Sequence, residues 1–244
     1  MEQNEFKKVI ISKGFDLECY DKLEEYLSMV KASSEKFNIT GFKTIEDMRL
    51  GLAYDSFKSV SGLNVPRGTV FADIGTGAGV PGMVVCILYP HVRGVLVDSN
   101  NKKIDFIKET AEKLSLQNVD SQCVRGELFS ADKENREKYD FAVTKAFGPL
   151  YYSAEFCGPV LKQGGFLYIY SNLSQQVLSK ELREQFNRTG LYDGIENERK
   201  DMGVSEEGLF WVKRAASPDN IPRRFPIIKR EASKIPETVK ETIN

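Results

Sequence analysis

The chain has 244 residues, 41% of them apolar and 28% charged. That composition excludes intrinsic disorder and collagen-like repeats and suits one sizeable domain with a small appendage, large enough to hold a core without disulfides or structural metal. Thirty-four basic residues against 35 acidic ones, net −1, argue against a surface coated throughout for nucleic acid.

Residues 17–36 set Leu17, Tyr20, Leu23, Tyr26, Leu27 and Val30 three and four apart among charged residues, the pattern of an amphipathic helix. A second helix is expected from about 45 to 60. Ser61 to Gly68 then breaks the pattern with turn formers, so residues 1–66 read as a helical N-terminal segment. Beyond it, apolar runs at 69–74, 94–97, 119–124, 141–144 and 165–170 read as strands, alternating with helical stretches at 81–90, 101–115, 150–162 and 174–188. That alternation implies an α/β fold, a parallel sheet with helices on both faces. Runs around 191–195 and 209–212 show no convincing helix between them and read as an antiparallel hairpin completing a seven-stranded, mostly parallel sheet. Residues 67–215 form the expected core and 216–244 a tail. No stretch approaches the roughly 18 to 20 apolar residues of a membrane span, and the N-terminus lacks an apolar signal-peptide core, so a cytoplasmic chain with no membrane partner is expected. Cys19, Cys86, Cys123 and Cys157 form no CxxC pair and His91 is the single histidine, which points to no metal site and little room for general-base chemistry.

The sharpest local pattern is Phe71-Ala72-Asp73-Ile74-Gly75-Thr76-Gly77-Ala78-Gly79-Val80-Pro81-Gly82, a strand ending in an acid and glycines before a helix. Glycines let the backbone turn tightly and approach a ligand, while the following helix offers unpaired N–H groups. Twenty-five residues after Asp73, Asp98 ends the next expected strand, where a carboxylate can accept both hydroxyls of a ribose. Gly77-Ala78-Gly79-Val80-Pro81-Gly82 also satisfies the dinucleotide pattern G-x-G-x-x-G, a weak match by itself. An acid at the strand end suits the sulfonium and ammonium of S-adenosylmethionine better than a pyrophosphate.

At these residues the chain resembles the bacterial small-subunit rRNA guanine-N7 methyltransferases, the ribosomal RNA methyltransferase G or glucose-inhibited division protein B family. Asp73 to Gly82 is similar to the family's D-[IV]-G-[ST]-G-x-G-x-P-G. Phe37-Asn38-Ile39-Thr40, Asp55-Ser56, Asp98-Ser99, Lys102-Lys103, Arg125, Glu127, Ala146-Phe147 and Arg224-Phe225-Pro226 match as well. The resemblance implies a class I, Rossmann-like methyltransferase core, S-adenosylmethionine as cofactor and 16S rRNA or the small ribosomal subunit as partner. It implies Asp73, Gly75, Gly77, Val80 and Asp98 at the cofactor, Gly126 and Glu127 at its adenine, and Lys145 where the family has an arginine. The chain departs from the family at Gly51-Leu52, where an Arg-His pair is usual, and at Lys145, which lacks the arginine fork. It departs again at Tyr168 to Asn172, which carries no lysine. A non-catalytic rRNA-binding or assembly paralogue, or a methyltransferase with another substrate, stands as the alternative.

Guanine N7 needs no deprotonation, so catalysis reduces to orientation, and a site without histidine suits it. Phe147, after the fourth expected strand, is a candidate to stack on the base, with a core phenylalanine covering the sheet edge as the alternative. Residues 213–240 hold Lys213, Arg214, Arg223, Arg224, Lys229, Arg230, Lys234 and Lys240 against Asp219, Glu231 and Glu237, a net of +5. With Phe225 and prolines interleaved, this stretch reads as an extended arm, with Arg223, Arg224, Lys229, Arg230 and Lys234 as RNA contacts, or as a merely solvated terminus. A monomer is expected.

Overall fold

A computed structural model describes residues 1–238. Lys240, counted in the basic tail, lies outside the described residues. Seven strands form one sheet: β1 (Val70–Ile74), β2 (Arg93–Asp98), β3 (Val119–Cys123), β4 (Tyr139–Lys145), β5 (Leu161–Tyr170), β6 (Leu191–Asp193) and β7 (Leu209–Lys213), in the order β3-β2-β1-β4-β5-β7-β6. The first five run parallel, and β7 lies antiparallel between β5 and β6. The direction of winding reverses between β1 and β4, and ligands of such sheets bind at the carboxyl edge there.

Period-two alternation puts Phe71, Leu96, Phe141 and Tyr168 on one face of the sheet and Ala72, Val97, Ala142 and Leu167 on the other. The first face is covered by α1 (Gln3–Ser12), α2 (Leu17–Ser34), α3 (Ile45–Met48), a π-helical turn (Arg49–Tyr54), α4 (Asp55–Val60), α5 (Gly82–Leu88) and α6 (Asn101–Lys113). The N-terminal helices therefore share one apolar core with the sheet. The second face is covered by α7 (Gly126–Ala131), α8 (Leu150–Cys157), α9 (Lys180–Arg188) and α11 (Phe225–Ala232), the last in the tail. Between β6 and β7 lies α10 (Glu196–Met202).

Four expectations change. Helix α1 was not foreseen; it buries Phe6 and Ile10 against Tyr20, Tyr54 and Phe57. The stretch expected as one helix from 174 begins as a single 3-10 turn, and α9 starts only after Ser179, whose hydroxyl accepts from Leu182 N–H. The hairpin contains α10, which buries no residue and so lacks an apolar stripe; it is held by its ends, with Glu198 accepting from Ile195 N–H and Gly203 closing it at φ 66°. The tail is docked rather than extended: Ile228 of α11 is fully buried, and Arg136 donates to the carbonyls of Ser217, Pro218 and Ile221.

Candidate functional site

The glycine-rich turn leaves β1 and folds onto β2. Gly75 and Thr76 N–H both donate to Val97 O, at 2.8 and 3.0 Å. Asp98, ending β2, receives Gly77 N–H on Oδ2 at 3.0 Å and Asn100 N–H on Oδ1 at 2.9 Å, with Lys103 Nζ 3.9 Å away. Two cavities open here, sharing Gly75, Lys103 and Ala146. One, of about 350 Å³, is lined by Asp98, Gly126, Glu127, Phe147 and Phe225. The other, of about 520 Å³, is lined by Gly77, Val80, Lys145, Tyr170 and Phe42.

The structure thus places Gly75, Gly77, Val80, Asp98, Gly126, Glu127, Lys145 and Phe147 around these two cavities and leaves Asp73 out. Asp73 is fully buried behind the turn, where its Oδ2 accepts from the Thr76 hydroxyl at 2.7 Å and Gly82 N–H at 2.8 Å. Burial pushes its carboxyl up to about 7, against those hydrogen bonds, and Oδ1 has no partner among the described residues. A carboxylate just before a tight turn meets the donors of the turn itself before it can reach outward, so Asp73 ties the loop to α5 and lines neither cavity.

Lys145, ending β4, donates to Gly51 O at 2.5 Å and lies 3.9 Å from Asp55 and 4.2 Å above the Tyr170 ring. Burial lowers its pKa and Asp55 opposes that shift. Its hydrogen bond therefore goes to the N-terminal helices while its stem lines the second cavity. Phe147 occupies the first cavity instead. The left-handed Ala146 (φ 51°) turns the chain, and the Phe147 ring lies on Gly75, where a Cβ would stand only 1.9 Å from its Cδ2, with Phe156 edge-on at 5.8 Å. A base beside Lys145 would meet other aromatics.

Those others, Tyr170 and Phe42, escaped the sequence reading. Tyr170 pairs in register with Lys145 at the carboxyl end of β5, a position the strand pattern could have flagged. Phe42 sits in a loop with no periodic signal. Phe225 brings the tail to the first cavity, where it lies under the Arg125 guanidinium at 4.7 Å and edge-on to Tyr152 at 5.6 Å, all three lining that cavity. Among the tail cations, Arg223 is spent on Glu155 and Glu231, whereas Arg224, Lys229, Arg230 and Lys234 are exposed and enter no ion pair among the described residues. Lys213 is buried, donating to Gly158 O and Thr189 O, and Arg214 pairs with Glu198. His91 lies at the other end of the sheet, its Nε2 3.3 Å from Val65 O. No helix of the described residues is long and apolar enough to cross a membrane.

A profile of the family described as rRNA small subunit methyltransferase G matches residues 19–194. The chain is similar to ribosomal RNA small subunit methyltransferase G of Deinococcus radiodurans, 37% identical over 216 residues that cover 86% of this chain and 85% of the relative. The protein of the same name from Listeria monocytogenes is 28% identical over 232 residues, 92% and 96% of the two chains. That of Bacillus subtilis is 26% identical over 229 residues, 93% and 95%. In fold, the chain is similar to one from the complex between the Haloferax volcanii Trm112 methyltransferase activator and a methyltransferase, with TM-score 0.51, 14% identity and coverage of 70% and 93%.

Proposed function

Because the chain belongs to the rRNA small subunit methyltransferase G family, we infer that its cleft works as an S-adenosylmethionine-dependent methyltransferase site acting on N7 of a guanine in 16S rRNA. The observation that carries the site assignment is the meeting of Asp98 with the glycine turn. A carboxylate at the end of β2, clasped by Gly77 N–H, borders a nucleoside-sized cavity at the point where the sheet reverses its winding.

The residues present fit that cofactor. Gly77 (φ 61°) leaves open space where a Cβ would stand, with nothing nearer than Gly75 O at 3.9 Å. Asp98 would hold the ribose hydroxyls, Gly126 and Glu127 the adenine, and the turn from Gly75 to Val80 the methionine end. When bound, S-adenosylmethionine supplies an electrophilic methyl on a sulfonium. Guanine N7 offers a lone pair and carries no proton at neutral pH, so no side chain has to take one, and the distance of His91 from the cleft is no handicap. The chain's own residues contribute by orientation and by excluding water, effects that supply roughly 7 to 11 kcal/mol in well-aligned reactions.

Incubating the protein with labelled S-adenosylmethionine and small subunits from cells lacking the gene is expected to place label in 16S rRNA as N7-methylguanine. Calorimetry is expected to show cofactor binding weakened about tenfold or more in Asp98→Ala, which loses a charged hydrogen-bond acceptor. No transfer to rRNA refutes the activity, and undiminished binding by Asp98→Ala refutes the site.

A further inference from the structure

We propose that Tyr170 and Phe42 are the aromatic walls that position the target base, a reading that rests on the methyltransferase assignment above. Both rings line the cavity of about 520 Å³ whose inner side is formed by Gly75 and Gly77, so whatever enters it abuts the methyl-donor end of the cleft. The rings come from separate elements, Tyr170 from the end of β5 and Phe42 from the loop before α3. Phe42 remains 37% exposed. It lies down onto the π-helical turn at Gly51, where a Cβ would stand only 2.2 Å from its Cζ, so the glycine is what makes room for this wall.

Tyr170 already holds a cation. The Lys145 ammonium sits 4.2 Å from its centroid, and the Asp55 carboxylate is 3.9 Å from that ammonium. During transfer the N7–methyl bond forms as the sulfur–methyl bond breaks. The bonding pair stays with sulfur, the positive charge passes to the base, and no proton moves. A flat base that becomes cationic gains from a ring face both by stacking and through the ring quadrupole. Phe147 cannot serve here, because its ring is committed to Gly75 and Phe156 in the neighbouring cavity.

The test compares Tyr170→Ala, Tyr170→Leu, Tyr170→Phe and Phe42→Ala, measuring kcat/KM on unmodified small subunits and cofactor Kd by calorimetry. Loss of a stacking face is expected to lower kcat/KM by about 10- to 100-fold in both alanine variants and in Tyr170→Leu, which keeps apolar bulk without a ring. Tyr170→Phe is expected to stay within about threefold of the parent, and cofactor affinity is expected to fall less than kcat/KM in every variant, since neither ring borders the nucleoside cavity although both share the other cavity with the turn at the methionine end. The proposal is overturned if the alanine variants methylate at parental efficiency, if Tyr170→Phe is as impaired as Tyr170→Ala, or if cofactor affinity falls in parallel with activity. An inactive parental protein would refute the methyltransferase reading instead, whereas an active parent with equally active variants refutes only the aromatic walls.

Discussion

Asp73 and Asp98 end neighbouring parallel strands and carry the same functional group, yet their surroundings separate their roles. Asp98 opens on the cavity, while Asp73 is sealed behind the turn with its carboxyl pushed up to about 7 by burial. A carboxyl whose folded pKa lies above its unfolded value stabilises the fold at low pH, and that contribution fades as pH rises through the folded value. The stability supplied by Asp73 is therefore greatest near pH 4 and lost towards pH 7. Urea midpoints of the parent and of Asp73→Asn, measured from pH 4.5 to 7.5, are expected to show a declining component in the parent that the asparagine variant lacks. Equal slopes would show that Asp73 titrates normally. The strand ends and glycine spacing revealed both aspartates in the sequence, but which one faces the ligand depends on donors that only the folded turn aligns.

At the scale of elements, the tail is the largest revision. Arg223, expected on RNA, donates through its backbone and guanidinium to Glu155, whose side chain is fully buried, and reaches Glu231 and the Tyr151 hydroxyl as well. Glu237 accepts from Leu150 N–H at the start of α8, tying the far end of the tail to the same helix. Removing the partner of a buried carboxylate costs about 3 to 5 kcal/mol. Arg223→Ala is thus expected to lose about 3 kcal/mol in urea unfolding while the salt dependence of RNA binding is unchanged, and a flatter salt dependence at full stability would restore it to the RNA surface. Helices α2, α5 and α6 were legible because each carries apolar residues for one core, α5 and α6 packing on the sheet and α2 on those two helices. Helix α11 was obscured by Pro226 and its charges, and its anchor Glu155 lies 68 residues before Arg223.

For the whole molecule, net charge conceals a division. With residues 213–240 at +5 and Glu241 beyond them, residues 1–212 carry −5, but folding buries Lys213 and neutralises Arg214 and Arg223. What remains for phosphates among the described tail residues is Arg224, Lys229, Arg230 and Lys234, on and around a helix whose first residue, Phe225, walls the cavity of about 350 Å³. Reversing Lys229, Arg230 and Lys234 to glutamate together is expected to flatten the plot of log K against log salt by about 0.7 to 0.9 per lost contact. Calorimetric cofactor affinity is expected to stay unchanged. An unaltered salt slope would return these lysines and arginine to the role of solvated charge.

The alternation of strands and helices, the antiparallel end of the sheet, the glycine turn and its partner Asp98 are all legible in the chain of residues alone. Those features depend on periodicity and on short spacings that any copy of the chain must carry. Folding settles the rest: Asp73 becomes a buried tie, Phe147 and Tyr170 line different cavities, and Lys145 reaches back 94 residues to Gly51. Each of these depends on contacts across the sheet or between distant segments, where side-chain direction and competing hydrogen-bond donors, rather than local pattern, set the outcome.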